Sequence, residues 1–248
     1  MFFKKSFILL LFSFMSLSYA NDKHSSAHVG EPSTEHAAKP NSEHKEHIRP
    51  KSKIPAEKAY SYLQNGNKRY LTSHVRNDGF RPKDRTRLIA SQSPHAIILS
   101  CSDSRVPPEI IFDQKLGEIF VIRTAGQALD FSVIASIEYA ISHLGSNLIV
   151  VMGHESCGAV KAALSTLKGG DAGSIWLNKL VADLQPHLKQ FTDLQPTDGV
   201  IVESWANVEG VTKDLLERSS IVKKAIDSGE VTIQKALYHL GSGEVEWR

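Results

Sequence analysis

Two short segments hold the residue types that do chemistry. Cys101-Ser-Asp103-Ser-Arg105 follows the apolar run Ala96 to Ser100, and His154-Glu-Ser-Cys157 follows a second run, Leu148 to Gly153; these are the only two cysteines of the chain. In an extended segment alternate side chains share a face, so Cys101, Asp103 and Arg105 can project into one cavity. His154 and Cys157 are separated by the short step expected where a strand turns into a helix, whose N-terminus favours a thiolate at Cys157. One imidazole and two thiolates make three ligands for a single zinc ion. No third cysteine or nearby second histidine completes a closed structural set, which leaves a position for water and points to hydration chemistry. Two thiolates cancel the charge of Zn²⁺, so the water needs further help. Asp103 can accept the proton of a zinc-bound hydroxide and orient it, with Arg105 keeping the carboxylate ionised. Asp103 can instead swing onto zinc and shut the site. The competing reading of the cysteines is a disulfide, which would need none of Asp103, Arg105 or His154.

These groups must be positioned by a sheet. Ala96 to Ser100, Ile119 to Thr124 and Leu148 to Val151 are short and apolar on both faces, which predicts buried parallel strands. Asp130 to His143 reads as an amphipathic helix between the second and third, a crossover unit. Pro55 opens a helix to about Thr72 and a second runs from Asp84 to Ala90, together an arm expected to pack on a partner subunit. Further helices are expected from Cys157 to Leu167, Ser174 to Lys189 and Ser220 to Asp227. Val200 to Glu217 is ambiguous between strand and helix. Val231 to Leu240 and Val245 to Trp247, joined through Gly241-Ser-Gly243, predict a terminal antiparallel hairpin. The fold class is α/β: a mostly parallel central sheet flanked by helices, with metal ligands at the carboxyl ends of two strands.

C-S-D-S-R followed by G-H-x-x-C resembles the β-class carbonic anhydrases, and the resemblance runs from about Ile54 to Arg248. It implies one zinc per subunit on Cys101, His154 and Cys157, Asp103 and Arg105 as the catalytic dyad, Asp103 as a fourth ligand in a closed form only, and reversible hydration of CO₂ to bicarbonate. It further implies Gln92 as a substrate hydrogen-bonding residue, Phe120 and Tyr139 as walls of the CO₂ pocket, Gly158 as a backbone contact, a homodimer or homotetramer, and one long helix ending near Arg218. Ala125 stands where the plant-like subclass has valine, and Arg123-Thr-Ala-Gly126 departs from the commoner R-N-x-A form. The bicarbonate-gated bacterial subclass carries tryptophan where this chain has Ile98, so the site is expected to stay open near neutral pH. The plainer readings are a surface ion pair for Arg105, core aromatics for Phe120 and Tyr139, and a turn residue for Gln92. Glu155 is an alternative proton-handling carboxylate, better placed to cap a helix or face solvent. His95, His143, His187 and His239 read as surface or satisfied histidines, none singled out as a proton shuttle.

The 248 residues are 41% hydrophobic and 23% charged, which fits one soluble domain with extensions. The net charge of +2 comes from Lys4 and Lys5, so no basic patch argues for nucleic acid. Residues 1–20 have two lysines, an apolar run and Ser18-Tyr19-Ala20, the pattern of a signal peptide; the expected product is exported, periplasmic or secreted, without stable membrane insertion. Residues 21–53, with His24, His28, His36, His44 and His47, read as a disordered linker with weak zinc affinity at most, ahead of a catalytic domain at 54–248. A non-catalytic zinc carrier is the second function class, and COS or CS₂ are alternative substrates for the enzyme.

Overall fold

The computed structural model describes residues 54–248. The expected signal peptide at 1–20 and the histidine-bearing linker at 21–53 lie outside the described residues. A five-stranded sheet forms the centre: β1 (Ala96–Cys101), β2 (Ile119–Thr124), β3 (Leu148–His154), β4 (Thr232–Tyr238) and β5 (Val245–Trp247), in the order β2-β1-β3-β4-β5. The first four are mutually parallel, and β5 runs antiparallel to β4. From β1 the chain crosses to β2 on one side and then to β3 on the other. The crevice between the carboxyl ends of β1 and β3 is therefore the topological switch point, where open α/β sheets bind ligands.

Helices cover both faces. On one face α4 (Phe131–Ser142), α7 (Ile201–Arg218) and α8 (Ser220–Asp227) bury Val133, Ile137, Val208, Leu215 and Val222 against Ile97, Leu99, Ile149 and Val151. On the other, α1 (Ala56–Leu71) and the single turn α3 (Pro108–Ile111) set Ala59, Leu63 and Ile111 against Ile98, Val150 and Met152. Strands flanked on both faces in this way carry apolar side chains at every position, and burying each Leu or Ile contributes roughly 1.5–3 kcal/mol. Above the carboxyl ends, α5 (Gly158–Thr166) and α6 (Ile175–Leu188) enclose a third cluster that includes Cys101 and Cys157. Local chemistry sets several helix starts: the Asp130, Ser174 and Ser219 side chains accept from the backbone N–H of Val133, Leu177 and Val222.

The structure departs from the sequence expectations at two places. β2 reads as a buried strand yet forms the sheet edge, with every residue only half-buried; apolar composition on both faces does not distinguish an edge from a centre. The expected partner-packing arm divides, because α1 buries Ala59 and Leu63 in its own chain whereas α2 (Pro82–Leu88) buries nothing. Val200 to Glu217, ambiguous by its residues, is the helix α7 that the family resemblance implied, ending at Arg218, since Glu203, Trp205, Val208, Val211 and Leu215 share a buried face at helical spacing despite the β-branched start.

Candidate metal centre and active site

β1 ends on Cys101 and β3 ends on His154, both buried. The backbone then reverses through Ser156 at a φ of 55° and delivers Cys157 as the residue preceding α5. The two sulfurs and a ring nitrogen of His154 lie within 4.8 Å of one another, and the cysteines are free rather than bridged. His154 Nδ1 lies 2.7 Å from the Glu155 carbonyl oxygen, an acceptor, so the ring hydrogen sits on Nδ1. Nε2 is then a bare lone pair, fully buried and without a hydrogen-bond partner. A buried acceptor left unpaired is costly unless something binds it. With two sulfurs beside it, the donor set is one that zinc takes.

The sulfurs are electrostatically unequal. A hydrogen bond from the Cys157 thiol pulls the Cys101 thiol well below its ordinary value, helped by the Gly126 backbone N–H, which donates to Cys101 Sγ at 3.3 Å. Cys157 is pushed up, first by donating to Cys101 and then by burial. The pair therefore shares one proton, with the negative charge on Cys101.

Asp103 and Arg105 form a bidentate pair beside this cluster. Arg105 Nε and Nη2 donate to Asp103 Oδ1 and Oδ2 at 2.9 and 2.7 Å, and the Arg105 backbone N–H donates to Oδ1 at 2.9 Å. These bonds hold the Asp103 carboxyl well below the usual carboxylate range, against a smaller opposing effect of burial. Asp103 Oδ2 lies 3.9 Å from His154 Nε2, so the carboxylate borders the space between the ligand atoms while its oxygens are committed to Arg105. Arg123, noted from the sequence only within a departing motif, holds the loop by donating to the Cys101 and Asp103 carbonyls at 2.9 and 2.6 Å. Gly158 opens α5 with nothing within 4 Å of where a side chain would begin, which leaves its side of the site open.

Gln92, Phe120 and Tyr139 lie elsewhere. Gln92 and Tyr139 line one cavity of about 730 Å³ with Arg85, Leu88 and His143, and none of the three ligand residues lines it. Phe120 stands beside Tyr139, ring centroids 6.4 Å apart. It pairs with Ile97 in the sheet, so along the strand it is roughly 13 Å short of Cys101. Glu155 is tied back to the Leu240 backbone N–H at 3.0 Å rather than capping α5. Of the four histidines without assigned roles, His143 stacks on Tyr139, His239 meets Glu246 and His187 is bonded at both ring nitrogens. His95 is buried with Nε2 unpaired, and burial lowers its pKa.

A family profile described as carbonic anhydrase matches residues 96–245, which span both ligand-bearing strands. A carbonic anhydrase of Mycolicibacterium smegmatis is 38% identical over 192 residues, covering 77% of this chain and 92% of the relative. The chain belongs to the β-class carbonic anhydrases. Carbonic anhydrase 2 of Mycobacterium tuberculosis is similar to it at 37% identity over 77% of this chain and 91% of that one. Among solved β-class carbonic anhydrases, one from Aspergillus fumigatus superposes with a TM-score of 0.60 at 28% identity, covering 67% of this chain and 81% of the other. A tetrameric one from Sordaria macrospora gives 0.61 at 26% identity over 76% and 94%. Membership of this family of zinc enzymes supports CO₂ hydration as the chain's activity over the non-catalytic zinc carrier. Among the described residues, no helix is long and apolar enough to cross a membrane.

Proposed function

We propose that each chain holds one zinc ion on Cys101 Sγ, His154 Nε2 and Cys157 Sγ and hydrates CO₂ to bicarbonate with Asp103 and Arg105 as the catalytic dyad. The observation that carries this reading is the unpaired, buried His154 Nε2 facing two sulfurs, with an ionised carboxylate at its border. Zinc supplies Lewis acidity that makes a water nucleophilic at neutral pH. The chain's own residues do the rest. Asp103 accepts a hydrogen bond from the attacking water and turns a lone pair toward the CO₂ carbon; a C–O bond forms and the water's proton leaves toward solvent. Arg105 fixes the carboxylate in plane and keeps it from moving onto the metal, which supports an open site near neutral pH. The Gly126 N–H offsets part of the charge that Cys101 places on the metal.

Gln92, Phe120 and Tyr139 serve CO₂ only if a second copy brings its cavity to this crevice, since one chain keeps that cavity apart from the ligands. The tetrameric Sordaria relative supports such an assembly. The terminal pattern of residues 1–20 supports export to the periplasm or beyond, with 21–53 as a tether to the catalytic domain at 54–248. Stopped-flow CO₂ hydration on metal-analysed protein tests the central claim. We expect one zinc per chain and activity that follows zinc content; active protein without stoichiometric metal would refute it.

A further inference from the structure

The hydrogen bond that Gly126 gives Cys101 is the end of a longer chain. Gly126 lies in a 3-10 turn, Ala125–Gln127, at φ 62° and ψ 23°. A side chain there would meet Leu184 Cδ2 at 2.7 Å, so both backbone conformation and space require glycine. Glycine is also the least restrained residue, and the direction of its N–H must be fixed by something outside the turn. Asn207, fully buried on α7, does this by donating from Nδ2 to the Gly126 carbonyl at 2.9 Å.

That bond settles the amide's orientation. The Gly126 oxygen accepts only, so the Asn207 nitrogen faces it and Oδ1 faces the other way, 3.0 Å from His187 Nδ1. Oδ1 also accepts only, so His187 carries a hydrogen on Nδ1 and donates it. The Asp214 carboxylate likewise accepts only, so the other ring nitrogen, Nε2, donates to Asp214 Oδ2 at 3.0 Å. Packing holds the ring itself. His187 is the penultimate residue of α6, and Gly210 on α7 leaves it a notch: a side chain at 210 would come within 2.1 Å of His187 Cγ. Glycine is disfavoured inside a helix, and this notch is what it provides here.

We propose that His187 is a positioning residue for the metal centre, orienting Asn207 so that Gly126 keeps its N–H on the Cys101 sulfur. The inference rests on the reading of Cys101 as a zinc ligand. Its chemical effect is to draw charge from one thiolate, restoring some of the Lewis acidity that a two-sulfur site gives up. The Gly126 N–H is one bond removed from a ligand, and partners at that distance alter metal affinity or activity by about 10–100-fold when lost; His187 acts on it through two further hydrogen bonds.

The two ends of the ring can be separated. His187→Asn keeps an amide N–H near the place of Nδ1, His187→Gln keeps one only near Nε2, and Asp214→Asn disturbs the Nε2 side alone. Cobalt(II) in place of zinc reports sulfur donation through thiolate-to-cobalt absorption, and chelator competition reports zinc affinity. We expect His187→Gln to shift the thiolate bands and weaken zinc binding by about tenfold, with His187→Asn and Asp214→Asn within about threefold of the parent. Gly210→Ala, which displaces the ring without changing it, should behave like His187→Gln and decides the matter if His187→Gln does not fold. Equal effects of the Asn and Gln variants, or bands moved as far by Asp214→Asn, would overturn the proposal while leaving the zinc site intact. A parent protein without thiolate-to-cobalt bands would overturn the metal reading as well.

Discussion

The crevice at the ends of β1 and β3 and the cavity beside β2 differ in how completely one chain builds them. At the crevice the site atoms are closely held: Cys101 by Gly126, His154 by the Glu155 carbonyl, Asp103 by three bonds from Arg105, and the loop by Arg123. At the cavity Gln92 is exposed in a loop, Tyr139 is 47% exposed on α4, and Phe120 beside it stands on β2, a sheet edge. The first arrangement is pre-organised for reaction, because its geometry is fixed before any substrate arrives. The second has residue types suited to a small apolar substrate but lacks a wall. On the reading proposed above, the difference teaches that metal chemistry belongs to the single chain and substrate selection to the assembly.

The largest effects should come from breaking the crevice. Cys101→Ser removes a soft ligand and the acceptor of the Gly126 bond; we expect zinc loss and hydration at the uncatalysed rate, with the oligomer unchanged by sedimentation. Retained stoichiometric zinc would show that His154 and Cys157 suffice. Asp103→Asn keeps the shape but removes the carboxylate charge. It should lower kcat by about 10²–10⁴ in stopped-flow assays while zinc content stays at one per chain. Unchanged kcat would reduce the Asp103–Arg105 pair to a structural contact.

The crevice was the more legible region in the sequence, for a physical reason. Cysteine and histidine placed where apolar strands end leave few alternatives, and Asp103 and Arg105 follow Cys101 at the alternation of an extended chain. The flanking helices were legible from starts at Asp130, Ser174 and Ser220, and the structure places the capping side chains at Asp130, Ser174 and Ser219. What could not be read were contacts made through the backbone. Arg123 binds two carbonyls, Gly126 offers an N–H, and Asn207 reaches a carbonyl from more than eighty residues away; none of these bonds leaves a pattern of residue types. The edge position of β2 was equally hidden, because strand order depends on which crossovers the helices permit. Gln92, Phe120 and Tyr139 came from family resemblance alone, and a single chain does not bring them to the metal.

A smaller effect sharpens the cavity side. Gln92→Ala should lower kcat/KM by about tenfold at unchanged zinc content, as for loss of one substrate hydrogen bond. If its partner crevice lies on another copy, the two defects complement. Mixing inactive Cys101→Ser chains with Gln92→Ala chains places an intact Cys101 opposite an intact Gln92 in the mixed assemblies. For random pairing of dimers, activity should recover to about a quarter of the parent's. Activity that stays at the average of the separate variants would locate both residues in one chain's site.

The finest test concerns protons taken up and released at the crevice. Zinc binds thiolates, and in the free protein one sulfur already carries the charge while the other keeps its proton. The sign follows from the raised group: Cys157 remains a thiol through neutral pH, so metal must displace its proton, whereas Cys101 has none to lose. Zinc loading near pH 7.5 should therefore release about one cysteine proton per site, and affinity should rise about tenfold per pH unit between roughly pH 7 and 8. Calorimetry in buffers of different ionisation enthalpy measures that count. A value near two would mean that the Gly126 N–H and the neighbouring thiol do not hold Cys101 ionised, and the asymmetry between the two sulfurs would be lost.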